Sequence, residues 1–234
     1  MIRILHTPLL ALALAVAVVA AACSSGFGSN PTTSPAGSTS VATDAAPSGQ
    51  APGGPLAPPE ATPLAAPPAE PASNGTTATI STELGDIVIE LYTDSAPVAT
   101  ENFINLAEAG YYEGVVFHRL VPGFVIQGGD PTGTGTGGPG YTIPDEPVVG
   151  QYGRGTVAMA RTQAPDSQGS QFFIVLDDEA QEALESFRTY TIFGQVIEGM
   201  DVVDAIAATP NAGPEAGNQA LEPVAMESVT VARP

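Results

Sequence analysis

The sequence predicts a mostly β domain, an antiparallel barrel of about eight short strands with few helices, preceded by a signal segment and a disordered tether. Two observations carry the β reading. From residue 78 onward, short runs alternate apolar and polar residues with period two, each bounded by Gly, Pro or Asp. Only two stretches of this part hold apolar residues at clear helical spacing: Val98, Phe103, Leu106 and Ala107, then Met200, Val203, Ile206 and Ala207. A third observation sets the boundary. Residues 23–77 are Pro, Ala, Gly, Ser and Thr with almost no large apolar side chains, as in APGGPLAPPEATPLAAPPAEPASNG. Such a segment has too little apolar surface to offset the entropy of ordering, and its prolines extend it beyond the reach of a Gly/Ser coil.

Taken in order, ATISTELGDIVIELY reads as two antiparallel strands joined by a tight turn at Leu84-Gly85-Asp86. Asp94 then offers a helix cap and Pro97 suits the first turn, with Gly110 closing the helix. Residues 111–127 return to strand character and end at Gly128-Gly129-Asp130-Pro131. A Gly-rich loop at 132–140 leads to strands near 156–161, 171–176 and 190–196, with a short helix at 178–187 between the last two. The second amphipathic helix follows Gly199, and residues 228–231 form the closing strand.

Residues 1–22 have Arg3 near the start, an apolar run from Leu9 and small residues at the end, the layout of a secretory signal peptide. Cys23 follows directly and is the chain's one cysteine, so it forms no internal disulfide. The stretch Val19-Ala20-Ala21-Ala22-Cys23 resembles a bacterial lipobox, with Ala20 where that motif usually has Leu. Cys23 is therefore the expected lipidation site. An ordinary cleaved signal and an uncleaved anchor are the alternatives, although the apolar run is short for a ~30 Å hydrocarbon core. Each reading sends the rest of the chain outside the cytoplasm, tethered to the membrane or secreted.

The formal net charge is −19, and all six cations of the chain are Arg. No basic stripe exists to neutralise phosphates, which excludes nucleic acid as a partner. Gly133-Thr-Gly135-Thr-Gly-Gly138 satisfies a dinucleotide fingerprint in form, but Pro139, Gly140 and Pro144 prevent the helix that such a site needs. His118 is the one histidine beyond the signal, too few for a metal site, and its apolar neighbours suggest a buried, hydrogen-bonded ring. No G-x-S-x-G surrounds Ser167 or Ser170. What remains is Arg, Gln and Phe on strands. Period two places Phe117, Arg119 and Val121 on one face, with Val125 and Gln127 continuing beyond the turn-prone Pro122-Gly123. Phe172 and Phe173 must point to opposite faces, one into the core and one to a surface pocket.

Phe117-His-Arg-Leu-Val-Pro-Gly-Phe-Val-Ile-Gln-Gly-Gly-Asp130, Gly155-Thr-Val-Ala-Met-Ala160, Gly169-Ser-Gln-Phe-Phe-Ile174 and Phe193-Gly-Gln-Val-Ile-Glu-Gly-Met200 together resemble the cyclophilin-type peptidyl-prolyl cis-trans isomerases. The resemblance covers the globular part, 78–234. It implies a closed eight-stranded barrel flanked by two helices, acting as a monomer on proline-containing polypeptides without metal or cofactor. It implies Arg119 as the catalytic cation with Phe124 and Gln127, and Val125, Ala160, Arg161, Gln171, Phe173 and Tyr190 as substrate contacts. Leu184 and Phe187 compete for one further pocket position. A module that binds Pro-containing segments through the same groove without isomerising them is the rival reading.

Overall fold

The structure, a computed structural model, describes residues 69–234. The signal segment, Cys23 and the tether up to residue 68 fall outside these residues. Eight strands form: β1 (Thr77–Thr82), β2 (Gly85–Leu91), β3 (Arg119–Val121), β4 (Val125–Gly128), β5 (Thr156–Met159), β6 (Phe172–Val175), β7 (Ile192–Glu198) and β8 (Ser228–Ala232). They make one sheet in the order β3-β4-β6-β5-β7-β2-β1-β8, with every ladder antiparallel. Three helices accompany it: α1 (Pro97–Glu108), α2 (Ala180–Phe187) and α3 (Met200–Ala207).

Eight antiparallel strands are the expected architecture, but the sheet is a curled half-barrel and the helices number three among the described residues. The edge strands β3 and β8 do not pair. Irregular chain at 218–226 spans the gap, where the Phe117 amide donates to the Val224 carbonyl and the Met226 amide to Val115, both at 2.9 Å. Pro223, in the middle of this segment, has no N–H to give, so a continuous ladder cannot run through it. The third helix is α2, which the short apolar pattern at 178–187 anticipates.

Side-chain alternation divides the sheet into two apolar layers. Leu120, Ile126, Ile174 and Val157 stand in register across β3, β4, β6 and β5, all fully buried in the larger cluster. At its centre the Phe172 ring meets Phe103 of α1 edge-on at 5.6 Å, Phe117 at 6.3 Å and Phe193 at 6.4 Å. Each such ring contributes about 1.5–3 kcal/mol by leaving water. The intervening residues point the other way. Arg119, Gln127, Phe173, Ala158 and Ile192 form a second register row on the opposite face, where a smaller cluster gathers under α2.

Two local expectations change. Phe117 does not share a face with Arg119: it precedes β3, and its ring turns into the main core. The stretch 111–127 is not one strand, because Pro122-Gly123-Phe124 folds it into a hairpin that sets Arg119 opposite Gln127. The tether's end also changes, since the Ala72 amide donates to Ser95 Oγ at 2.7 Å and the Leu91 amide to the Thr76 carbonyl at 2.9 Å.

Helix α1 is capped from a distance. Asp94 does not serve; the cap position is Ala96, with no side-chain hydrogen bond of its own. Glu146 supplies both carboxylate oxygens instead, accepting from the Val98 amide at 2.9 Å and the Ala99 amide at 2.8 Å. An anion there also meets the positive end of the helix dipole. Glu146→Ala is expected to lower the unfolding free energy by about 1–2 kcal/mol, read from urea midpoints, whereas Glu146→Gln retains part of the cap.

Candidate active site

Arg119 opens β3 and lies across the hairpin from Gln127, whose Oε1 accepts from Nη1 of Arg119 at 3.3 Å. Gln127 in turn donates from Nε2 to Gln171 Oε1 at 2.9 Å. Both contacts are neutral amides. The other arginines of the described residues each pair with a carboxylate: Arg154 with Asp204 at 2.6 Å, Arg161 with Asp145 at 2.9 Å, Arg188 with Glu185 at 2.5 Å and Arg233 with Glu108 at 2.5 Å. Arg119 alone among them has none. Burial pulls its pKa below the usual guanidinium value, but an arginine remains charged throughout the accessible pH range.

An apolar surface adjoins this cation on the same face. Phe173, opposite Gln127 in the β4–β6 ladder, packs with Val125, Leu184 and Ile192. Phe124, Tyr190 and Ala160 are partly buried against the same group. Tyr190 stands edge-on to Phe173 at 5.3 Å between ring centres. Leu184 and Phe187 are now distinguished: Leu184 is 4% exposed within this cluster, whereas Phe187 is 66% exposed. Phe187 is the last residue of α2, next to the left-handed cap residue Arg188, and its side chain stays in solvent.

A cavity of about 720 Å³ lies beside the apolar surface, with Gln127, Gln171, Ala160 and Arg161 in its walls together with the loop at 135–142. Ala160 belongs to both compartments, and its amide donates to the Gln171 carbonyl at 2.9 Å. Arg161 lines the cavity but its guanidinium is engaged, donating to the Ala164 and Thr189 carbonyls at 2.7 and 3.3 Å beside its ion pair with Asp145. Arg161 thus shapes the wall more than it offers a free cation. The structure brings together all nine residues expected at the site.

The chain that carries this arrangement is similar to known proteins. The family described as "Cyclophilin type peptidyl-prolyl cis-trans isomerase/CLD" matches residues 77–231. The chain belongs to this family. A peptidyl-prolyl cis-trans isomerase of Arabidopsis thaliana is 41% identical over 160 residues, a match covering 66% of this chain and 95% of that one. The peptidyl-prolyl cis-trans isomerase A of Mycobacterium tuberculosis is 39% identical over 174 residues, covering 66% and 91%. Among solved structures, a cyclophilin-type isomerase of Cryptosporidium parvum, crystallised in the presence of the dipeptide Ala-Pro, superposes with a TM-score of 0.59 at 31% identity, over 68% of this chain and 99% of that one. The protein is accordingly an isomerase.

Several groups that hold this cyclophilin site were not legible as such in the sequence. The Tyr152 hydroxyl donates to the Tyr190 carbonyl at 2.7 Å and accepts from the Tyr190 amide at 3.1 Å, fixing the main chain of the pocket tyrosine. Burial raises the Tyr152 pKa, so the hydroxyl keeps the proton it donates. Ser170 Oγ donates to the Gly129 carbonyl at 2.6 Å and lies 3.0 Å from the Tyr111 hydroxyl, pinning the end of β4 to the start of β6. His118 is buried as expected, yet neither ring nitrogen has a hydrogen-bond partner. Its ring lies beside Gly135 of the Gly-rich loop. Burial holds its pKa below the ordinary imidazole value, against the pull of nearby Asp130, and the ring stays neutral.

Truncating the pocket should separate the two α2 side chains. Leu184→Ala is expected to cost about 2–4 kcal/mol of stability and to raise KM for an Ala-Pro tetrapeptide severalfold. Phe187→Ala is expected to change neither quantity beyond experimental scatter, as measured by urea unfolding and a protease-free isomerisation assay.

Proposed function

We propose that this cyclophilin accelerates rotation about X-Pro bonds in exported polypeptides, with Arg119 stabilising the twisted prolyl amide. The observation that carries the reading is that Arg119, alone among the described arginines of a strongly acidic chain, pairs with no carboxylate of the described residues. A cation held, among the described residues, by the neutral Gln127 keeps N–H donors available to a ligand.

Amide resonance sets a barrier of ~18–20 kcal/mol to rotation, and this makes X-Pro exchange slow. No bond breaks, so no nucleophile is needed. As the amide twists, conjugation is lost and the prolyl nitrogen becomes pyramidal with a localised lone pair. A guanidinium N–H aimed at that nitrogen gains a hydrogen bond absent from both planar ground states, which is the differential binding that catalysis requires. Phe124, Val125, Phe173 and Tyr190 would grip the pyrrolidine ring while the preceding residue swings. Gln171, Ala160 and the adjoining cavity would receive the residues before proline. The dipeptide with which the Cryptosporidium parvum relative was crystallised has the chemistry of such a ligand.

The site of action follows from the N-terminus. The signal-like residues 1–22 and the lipobox-like sequence before Cys23 support export and a lipid anchor, and the Pro-rich residues 23–77 provide a spacer between membrane and domain. The protein would act as a monomer on proline-containing segments emerging beyond the cytoplasmic membrane.

Arg119→Ala is expected to reduce kcat/KM by about 10²–10³, the usual effect of removing one preorganised transition-state donor, with an unchanged unfolding midpoint. A folded Arg119→Ala protein with unaltered turnover would refute the mechanism. Mass spectrometry of the mature protein is expected to find a lipidated Cys23 at its N-terminus; an unmodified N-terminus downstream of Cys23 would exclude the anchor.

A further inference from the structure

Asp130 is fully buried yet sits at the head of the Gly-rich loop, away from every cation pairing. Its Oδ1 accepts from the amide and hydroxyl of Thr132 at 2.7 and 2.8 Å. Its Oδ2 accepts from the amides of Thr134, Gly135 and Gly137 at 3.2, 2.6 and 3.0 Å. One carboxylate therefore gathers five donors from six successive residues. The approach is close enough that a Cβ on Gly137 would lie 2.1 Å from Oδ1, so glycine is required there. Burial opposes the charge, but these hydrogen bonds outweigh it and hold the pKa at about 2. In any ordinary buffer the group is acceptor-only.

The loop so gathered presents its carbonyls to the site. Gln171 Nε2 donates to the carbonyls of Gly135 and Gly137 at 3.1 and 2.8 Å, which uses both protons of its amide group. Gln171 Oε1 must then face Gln127, and it accepts from Gln127 Nε2 at 2.9 Å. Gln127 Oε1 is left for Arg119 at 3.3 Å. A free glutamine amide has two nearly equivalent orientations. Were either one reversed here, an NH₂ would confront a guanidinium or another NH₂. The Gly135 and Gly137 carbonyls can only accept and so set the polarity at one end; Asp130 holds the loop that presents them, and each side chain passes the polarity to the next.

We infer that Asp130 is a positioning residue for Arg119, acting through the loop carbonyls of Gly135 and Gly137 and the side chains of Gln171 and Gln127. Its role is to orient the guanidinium without neutralising it, and it touches no substrate. The inference rests on the catalytic reading of Arg119. An Asn at 130 would turn its NH₂ toward either the two donors at Oδ1 or the three at Oδ2, so the loop would lose its grip although the side chain keeps its size.

The test is a mutant cycle in the full chain, with Arg119→Ala measured alongside. Asp130→Asn is expected to lower kcat/KM about tenfold, the loss of roughly one oriented hydrogen bond in the transition state. In a Gln127→Ala background the same change should have less than about a twofold effect, because the path is already cut. Equal effects in both backgrounds would reduce Asp130 to a loop-folding role and overturn the inference, as would full activity of the folded single variant. Loss of activity in Arg119→Ala beside an intact Asp130→Asn protein refutes only the positioning; an intact Arg119→Ala protein refutes the catalytic reading itself. A second measurement needs no variant. In the unaltered protein, NMR should find the side-chain amide protons of Gln127 and Gln171 exchanging with water at least about tenfold more slowly than those of exposed Gln163. Exchange as fast as Gln163 overturns the relay even if the Asn variant does not fold.

Discussion

The pairing of β4 with β6 sets Ile126 opposite Ile174 and Gln127 opposite Phe173, and both the core and the site depend on that register. Period two means that consecutive residues serve opposite faces. Ile126 and Ile174 fill the interior, while Gln127 and Phe173 reach the exposed side with Arg119 from the neighbouring strand. A slip of β4 by one residue would bury the Gln127 amide and expose Ile126. The hydrophobic core therefore does more than stabilise the sheet. It locks the one alignment in which a cation, an amide and an aromatic ring lie side by side.

Charge placement supplies the second constraint. With 25 acidic residues against six arginines, the default fate of a cation in this chain is an ion pair. Four described arginines meet that fate, three of them near the surface, where such pairs contribute little to stability, and Arg161 in a more buried pair with Asp145. Arg119 escapes it because its cross-strand partners are both uncharged, Gln127 on β4 and Gln219 on the other side, with Phe173 and Ala158 continuing the row. A carboxylate at 127 would bind the guanidinium more tightly than glutamine does, and would thereby satisfy the donors that a twisted amide needs. Neutral contact at moderate distance orients the group while leaving it reactive.

Much of this was legible in the sequence, for physical reasons. Most of the strands follow from alternation, and the helices α1 and α3 from their 3.6-residue spacing, since burial of one face imposes those periods. Arg119, Gln127 and Phe173 stand out because polar and aromatic residues interrupt strands that packing alone would keep aliphatic. The rest depends on contacts between distant residues. Nothing near Pro97 indicates that Glu146, 48 residues away from Val98, caps α1. The hairpin at Pro122-Gly123 reads equally as a bend in one strand until the β3–β4 ladder is seen. The open seam at Pro223 and the unpartnered ring of His118 are likewise matters of tertiary placement.

The two loops that wall the cavity show the same dependence on distant contacts. On one side Asp130 gathers the Gly-rich loop. On the other, buried Gln168 donates from Nε2 to Asp145 and to Thr191 Oγ1, both at 2.8 Å, while Asp145 also pairs with Arg161. Each loop is irregular chain that would otherwise sample many conformations, at an ordering cost of about 1–2 kcal/mol per residue on binding. Anchoring one to the buried Asp130 and the other to the half-buried Asp145 moves that cost into folding. A site that stabilises a short-lived twisted amide gains most from donors already in place, because reorganisation during the reaction would consume the differential binding energy. The acidic residues that leave Arg119 unpaired are in this sense also the ones that hold its surroundings rigid.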